Sequence, residues 1–182
     1  YQTGLYKRHP GRMNLGLEFG RIAQLFIDNI EEWPTPKGYL KAFDILSGED
    51  KWVVEFPHYW NGGVLATKGG VVFHGNALGT FVAYDKDSGE VLWDFNTHVS
   101  MLAPPITYEI DGTQYVSIMT GTGGGDLFSG APLDPVAKPA SLIHSNTGRL
   151  LVFALGGEEA LPTPTVRDVT IPEQQLAKVS QD

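Results

Sequence analysis

The chain has 182 residues, no cysteine and a formal net charge of −8, and it contains 22 glycines and 12 prolines. The length fits one domain or two small ones, and the 42% apolar content excludes global disorder. The lack of cysteine excludes disulfide scaffolds, thiolate metal sites and covalently attached haem, while the acidic balance argues against nucleic-acid binding through a basic surface. No apolar run reaches the roughly 18 residues of a membrane span.

Residues 1–37 precede the patterned part of the chain. They open at Tyr1 in a polar stretch without the basic start or apolar segment of a signal peptide, and the chain does not begin with Met. We therefore expect the chain to derive from something larger. Residues 21–30 are compatible with a short helix.

Two stretches of the chain repeat without a gap at an offset of 41 residues. Residues 38–52 read GYLKAFDILSGEDKW and residues 79–93 read GTFVAYDKDSGEVLW, so both copies share an Asp, a Ser-Gly turn and a closing Trp. A degraded copy at 148–153 lacks the Asp and the Trp. Because packing motifs recur whereas a catalytic residue occurs once, we assign Trp52 and Trp93 to structure, together with the two Asp residues.

Short apolar runs bounded by Gly and by tight turns predict β-strands throughout this part of the chain. The predicted strands are 39–44, 51–56, 63–67, 70–74, 80–85, 90–95, 103–108 and 114–120. Four strands in about 41 residues are typical of a β-propeller blade.

The repeat defines a domain organisation. We predict an all-β fold in which residues 38–155 form propeller blades, residues 1–37 are an incoming segment and loop, and residues 156–182 are a linker or tail. Within the blades, the Gly- and Pro-rich residues 121–147 are expected to form a long loop on one face.

The repeat Ala-x-Asp-x-x-Ser-Gly-x-x-x-Trp resembles the tryptophan-docking motif of the alcohol dehydrogenases that depend on pyrroloquinoline quinone (PQQ), with Ser where Thr is commoner. Residues 59–67 (YWNGGVLAT) resemble that family's WNGG segment, and residues 70–75 (GVVFHG) its next strand pair. Residues 103–116 resemble its penultimate blade, which the GTGGG run at 121–125 follows. The likeness implies the C-terminal blades of an eight-bladed β-propeller, in which each motif's Trp locks one blade to the next.

The resemblance also implies the residues that bind the cofactor. Asn61 would lie at the PQQ pocket and donate its amide to the cofactor, Trp60 would wall the cavity, and Gly124 and Gly125 would lie at its mouth. Other readings stay open, because Asn-Gly is a good turn pair, Trp60 is equally suited to a core, and the glycine run also suits a plain loop. The run lacks the Lys-Ser/Thr pair of a phosphate-binding loop.

The implied reaction is the oxidation of an alcohol to an aldehyde or ketone by PQQ, with calcium polarising the quinone carbonyl and an Asp as base. In the family, that Asp and the calcium ligands lie in earlier blades, so we expect no catalytic residue and no metal ligand on this chain. A periplasmic location and a cytochrome c electron acceptor are also implied. Because eight blades need well over about 300 residues, we expect a second polypeptide to carry the N-terminal blades, without which the chain is inactive.

A function of another class remains possible from the repeat alone, namely a non-enzymatic propeller scaffold of the outer-membrane assembly or sensor type that binds protein partners. Such proteins share the docking-type repeat but not the WNGG segment with the glycine-rich loop, which favours the enzyme. The five histidines, at positions 9, 58, 74, 98 and 144, show no metal-ligand spacing. Of these, His58 and His74 are placed to reach the face that carries the long loops.

Overall fold

The computed structural model describes residues 10–11, 37–57, 61–121, 140–145 and 147–166. The helix expected at 21–30 lies outside them. Within the described residues, no helix has the length and apolar character needed to cross a membrane.

The described fold is all-β apart from one helical turn, as the sequence predicted. The elements in chain order are β1 (Gly38–Phe43), β2 (Asp50–Phe56), β3 (Val64–Ala66), β4 (Val71–Gly75), β5 (Thr80–Asp85), β6 (Val91–Asn96), β7 (Ile106–Ile110), β8 (Thr113–Thr120), α1 (Ala140–Ile143) and β9 (Arg149–Ala154).

The strands form three antiparallel sheets in chain order. The first sheet contains β1 and β2, the second β3 to β6, and the third β7, β8 and β9. The two repeat copies and the degraded copy occupy equivalent places, because β1, β5 and β9 correspond to one another in the sequence alignment of the copies. The second sheet is a complete four-stranded blade.

The central strands of the second sheet, β4 and β5, are largely buried on both faces, whereas its outer strands β3 and β6 are more exposed. On one face, Val72, Val82 and Tyr84 pack in a core with Leu40 and Phe56 of the first sheet. On the other, a second core joins the second sheet to the third; it contains Leu65, Phe73, Phe81, Met101, Val116, Ile118, Leu151 and Phe153. Successive side chains of a strand point to opposite faces, so the continuous apolar run of β5 fills both cores.

The Asp residues of the repeat close the turns after β1 and β5. The Oδ1 atoms of Asp44 and Asp85 each accept hydrogen bonds from the backbone N–H groups two and three residues later, at 2.8 and 3.1 Å in the first copy and 2.9 and 2.8 Å in the second. These bonds favour the carboxylate and hold the pKa of both side chains below the usual value. The motif Asp is therefore a turn-forming residue, consistent with the structural role assigned to it.

Trp52 connects the first two sheets. Its indole Nε1 donates a hydrogen bond of 2.9 Å to the carbonyl oxygen of Lys86, in the turn that follows β5. Its ring lies over Gly89 of the same turn, where an added Cβ would come within 2.7 Å of the indole. The Trp of one repeat thus contacts the turn of the next.

Two predicted boundaries differ from the structure. The strand expected at 103–108 begins only at Ile106, because Pro104 and Pro105 have no N–H to donate to a neighbouring strand. Within the loop expected at 121–147, α1 forms one helical turn, and Ala140 N donates to the Ala77 carbonyl oxygen at 3.0 Å. The part of this loop that the structure describes is therefore attached to the second sheet.

Candidate functional site

The three sheets have two different ends. At one end lie residues 61–63, 76–79, 97–105, 121 and 140–145, which we call the loop end. At the other, the turn end, lie the tight turns after β1, β3, β5, β7 and β9. Antiparallel pairing places the beginning of β3 beside the end of β4, since Val64 pairs with His74, so the Asn61 segment belongs to the loop end.

Asn61 is half-buried at the loop end, directly before β3. Its Oδ1 accepts a hydrogen bond of 3.3 Å from the backbone N–H of Ala77. Because the two polar atoms of an amide diverge from Cγ, this bond directs Nδ2 away from Ala77. The side chain predicted to donate to a cofactor is thus oriented by the turn between β4 and β5.

Gly62 and Gly63 allow the Asn61 segment to lie against its neighbours. A Cβ at Gly62 would come within 2.6 Å of the carbonyl oxygen of Gly75, and one at Gly63 within 2.6 Å of the Cβ of Pro104. Both distances are shorter than real side chains tolerate, so the Gly-Gly pair is required by close packing. The segment before β3 therefore lies directly beside the segment before β7.

The peptide group of Ala77 joins the parts of the loop end. Its N–H donates to Asn61, and its carbonyl oxygen accepts from Ser100 Oγ at 2.6 Å and from Ala140 N at 3.0 Å. Ser100 in turn accepts through its carbonyl oxygen from Gly121 N at 2.8 Å, at the start of the long insertion. Three segments distant in sequence thus share one hydrogen-bonded centre next to Asn61.

His74 lies beneath the Asn61 segment and is only 2% exposed. Its ring stacks on Phe56 with centroids 4.9 Å apart at 28°. Burial lowers the pKa of His74 to about 4, against an ordinary 6.5, and a hydrogen bond to the Gly62 backbone partly offsets this effect. His74 is therefore neutral at physiological pH.

The loop end and the turn end differ in charge. The loop end, as defined, contains no Asp, Glu, Lys or Arg. The turn end contains most of the acidic residues that the structure describes; they are Asp44, Glu49, Asp50, Asp85, Asp87, Glu90, Glu109, Asp111, Glu158 and Glu159. An anionic ligand beside Asn61 would therefore meet no carboxylate from these loop-end segments; at the same end of the first sheet, Lys37 directly precedes β1 and pairs with Glu55 at 2.6 Å.

The loop end also contains two neighbouring histidines. His98 and His144 are in edge contact, with ring centroids 5.6 Å apart at 77°. No group of three or more potential metal ligands of the His, Cys, Asp and Glu types occurs among the described residues. The expectation that this chain contributes no metal ligand remains a prediction, because part of the chain lies outside the description.

Of the four residues predicted to bind the cofactor, the structure describes Asn61, while Trp60, Gly124 and Gly125 lie outside the described residues, as does His58. Sequence reasoning missed Ala77, which acts through its backbone and carries no side-chain signal. It also placed His74 within reach of the face that carries the long loops, whereas the structure buries this side chain against Phe56 of the first sheet. The alternation along β4 would have placed His74 on the same buried face as Val72.

Three comparisons relate this geometry to known proteins. The model of the PQQ glucose/ethanol/alcohol dehydrogenase β-propeller domain matches residues 54–116. Quinohemoprotein alcohol dehydrogenase ADH IIB of Pseudomonas putida is 42% identical over 127 residues, which are 70% of this chain and 18% of that protein. Lupanine 17-hydroxylase (cytochrome c) of a Pseudomonas species is 40% identical over 137 residues, which are 75% of this chain and 19% of that protein.

A solved structure agrees with these sequences. The quinohemoprotein alcohol dehydrogenase ADHIIG of Pseudomonas putida HK5 superposes with a TM-score of 0.62 at 34% identity, covering 72% of this chain and 19% of that one. This chain thus spans about a fifth of the length of the relatives that it matches. The resemblance predicted from the sequence is confirmed, and the chain is homologous to part of the β-propeller of the quinohemoprotein alcohol dehydrogenases.

Proposed function

We propose that this chain forms the C-terminal blades of a PQQ- and calcium-dependent dehydrogenase that oxidises an alcohol to an aldehyde or ketone. In that enzyme it contributes one wall of the cofactor pocket. The observation that carries the proposal is the match over residues 54–116, which includes the Asn61 segment and the strands that hold it. Relatives over the same region are alcohol dehydrogenases by name.

The loop end fits a planar cofactor that carries carboxylates. Asn61 supplies an amide that Ala77 already orients, and the loop end has no acidic side chain to repel an anion. Trp60, Gly124 and Gly125 are proposed as further parts of the pocket wall. PQQ, when bound, supplies the acceptor for the hydride that leaves the alcohol carbon.

The role of this chain is to bind and orient. Asn61 donates through Nδ2 to an oxygen of the cofactor, while its Oδ1 remains bonded to Ala77. No described residue is proposed as the base or as a calcium ligand, and these groups are assigned to the other blades.

The outer faces of the stack support an assembly with further blades. Apolar side chains are exposed on both outer sheets; they include Tyr39, Phe43 and Val53 on the first and Ile106, Ile110, Met119, Leu150 and Val152 on the third. Repeat folds bury such faces against neighbouring repeats. We propose that a second polypeptide carries the remaining blades, that the enzyme is periplasmic, and that a cytochrome c accepts its electrons.

Reconstitution tests this function. The enzyme containing this chain is expected to take up PQQ with calcium, to show the quinone absorption band, and to oxidise alcohols in a dye-linked assay. If neither the band nor the activity appears, the enzyme proposal is wrong and a scaffold function is favoured. A stable, monodisperse preparation of this chain alone would contradict the second polypeptide.

An Asn61→Asp variant tests the proposed contact. The carboxylate keeps an acceptor for the Ala77 N–H but replaces the amide donor by a negative charge. We expect PQQ to bind about tenfold more weakly with little change in thermal stability, because one charge-assisted hydrogen bond is lost. Unchanged PQQ affinity would remove Asn61 from the binding site.

A further inference from the structure

The third sheet has one strand fewer than the second. In the second sheet, β6 pairs with the outer edge of β5, and in the first sheet β2 pairs in the same way with β1. Their counterpart β9 is the last strand of the third sheet, and no strand among the described residues pairs with its outer edge. An unpaired strand edge is a template for an additional strand.

The second sheet shows which backbone groups face this edge. The carbonyl oxygen of Gly79 accepts a hydrogen bond of 2.8 Å from Thr97 N, at the beginning of the ladder between β5 and β6. In an antiparallel pair, the backbone groups of every second residue face the same neighbouring strand. The backbone groups of Phe81 and Ala83 therefore also face β6.

Leu150 and Val152 occupy these two positions in β9. The alignment of the repeat copies places them at the positions of Phe81 and Ala83, so their backbone N–H and C=O groups face the open edge. Their side chains are 64% and 48% exposed on the outer face of the third sheet. The edge of β9 thus combines unpaired backbone groups with an apolar surface.

The residues that follow β9 lack the groups to fill this edge. In β6, Trp93 and Phe95 pair with the two edge-facing residues of β5, so their N–H groups point toward that strand. The residues at the equivalent positions after β9 are Pro162 and Pro164. Because proline has no N–H group, both donors of a fourth strand are missing from this segment.

The end of the same segment is bonded elsewhere. The carbonyl oxygen of Thr165 accepts a hydrogen bond of 2.8 Å from Ser145 N, directly after α1. Val166 forms an antiparallel bridge with His144. Residues 155–165 form no strand between β9 and this attachment. The chain therefore returns to the loop end without completing its own third sheet.

We propose that the open edge of β9 receives a β-strand from the second polypeptide, so that the two polypeptides share one blade. The proposal rests on the proposed function for the existence of that polypeptide and on the strand register for the site. The added strand runs antiparallel to β9, as β6 does to β5, and places residues with a free N–H opposite Leu150 and Val152. Its side chains at these two positions are apolar, because cross-strand neighbours lie on the same face.

Two observations favour this occupant over a second copy of the chain. The chain spans about a fifth of the length of its relatives, so most strands of an enzyme of that size lie outside it. The edge is also continuous with the exposed apolar face of the third sheet, since Met119 pairs with Leu150 and both side chains are exposed. One neighbouring polypeptide can cover the face and fill the edge.

Photo-cross-linking identifies the occupant. In the enzyme containing this chain, Val152 is replaced by p-benzoylphenylalanine, and Ile45, which is 85% exposed in the turn after β1, is replaced in the control. We expect position 152 to cross-link to a strand of the second polypeptide, while position 45 does not. Capture of residues 1–37 or 167–182, capture of a second copy, or no capture of the second polypeptide would overturn the proposal.

Amide hydrogen exchange in the same enzyme distinguishes strand pairing from contact with the face alone. We expect the N–H groups of Leu150 and Val152 to exchange as slowly as those of Phe81 and Ala83, at least about tenfold more slowly than an unpaired edge. Fast exchange at both residues would overturn strand addition even if a cross-link forms.

A further variant restores the missing fourth strand. Pro162→Trp combined with Pro164→Phe gives the segment after β9 the residues of β6, so it competes for the edge. We expect the second polypeptide to bind about tenfold more weakly to this variant, whereas the control Thr163→Val, which keeps both prolines, binds like the wild type. Equal affinities would overturn the proposal. If the wild-type enzyme binds no PQQ, the proposed function fails, whereas these measurements still decide what fills the edge.

Discussion

The two interfaces between neighbouring sheets use the same kind of Trp in different surroundings. Trp52 stacks on Tyr84 with ring centroids 6.5 Å apart, and Trp93 meets the equivalent Phe153 edge-on at 5.4 Å. Trp52 also donates to a backbone carbonyl and covers Gly89. Trp93 has no indole hydrogen bond among the described residues, and it is 40% exposed.

The turn that receives each Trp explains the difference. In the second sheet, Asp85 closes the turn by hydrogen bonds, and Gly89, which has no Cβ, leaves room for the Trp52 indole. In the degraded third copy, Ala154 stands at the position of Asp85 and Glu158 at that of Gly89. That turn is closed by a bond from Gly157 N to Ala154 O at 3.0 Å instead. A Trp of the repeat is thus sufficient for a ring contact with the next sheet. A hydrogen bond from its indole also requires the Asp- and Gly-containing turn in that sheet.

The largest loss of stability is expected when a side chain is introduced at Gly89, on which the Trp52 indole packs. Gly48 and Gly89 share a φ of +74°, but a Cβ at Gly48 meets nothing within 4 Å, whereas one at Gly89 strikes the indole. Gly48→Ala should cost about 1 kcal/mol of unfolding free energy from backbone strain. Gly89→Ala adds overpacking and should cost about 4 kcal/mol in total. Chemical denaturation measures both, and equal losses would contradict the indole contact.

A second difference between the interfaces is their response to acid. His74 lies in the interface between the first and second sheets. Ile118 occupies the equivalent position in the interface between the second and third sheets, because Leu151 pairs with it as Val82 pairs with His74. Because burial lowers the pKa of His74 to about 4, the unfolded chain takes up a proton between pH 6.5 and 4 while the folded chain does not. The free energy of unfolding should therefore fall over this range as pH falls, by up to about 3 kcal/mol.

His74→Gln provides the matched comparison for this acid response, since Gln does not titrate there. Denaturation at pH 7 and pH 4.5 should show a smaller loss of stability in the variant than in the wild type. Identical pH profiles would show that His74 is not the group responsible.

A smaller effect should distinguish the two Trp residues. Trp52→Phe removes the hydrogen bond to Lys86 O and part of the buried ring, and it should cost about 2 kcal/mol. Trp93→Phe removes only part of a half-exposed ring and should cost about 1 kcal/mol. Thermal unfolding of both variants tests the ranking, and a larger loss at Trp93 would reverse our account of the two interfaces.

The smallest effect concerns the carboxyl groups of the turns. Hydrogen bonds from backbone N–H groups lower the pKa of Asp44 and Asp85 below 3.8, so both turns should persist until the pH falls below that value. The third sheet has Ala154 at this position and should show no such titration. NMR titration of the side-chain carboxyl resonances measures both values, and a pKa above 3.8 would exclude the turn bonds.

Much of the fold follows from the sequence because the repeat has a strong period. The Ser-Gly turns, the apolar runs and the two Trp residues located the strands to within a few residues and indicated propeller blades. Less could be said about the site. Asn61 was identified through a family motif, but the bond that orients it comes from the backbone of Ala77, which any residue except Pro could supply.

The helical turn α1 and the burial of His74 were not predicted from the sequence, for related reasons. Four residues are too few for helical periodicity, and α1 is attached through the carbonyl oxygen of Ala77. His74 looks like any strand residue until β4 pairs with β3 and its ring stacks on Phe56 of the first sheet. In both cases the decisive contact joins segments that are distant in sequence.

The contact between Trp52 and the next turn also gives the stack a direction. The indole projects from one side of a sheet and the receiving turn lies on the other, so two copies of the same surface do not fit each other. Such a contact is heterologous: repeated from sheet to sheet, it yields either an open helical array or a closed ring. Two identical blades cannot form this contact face to face, so every added blade must join the stack in the same orientation.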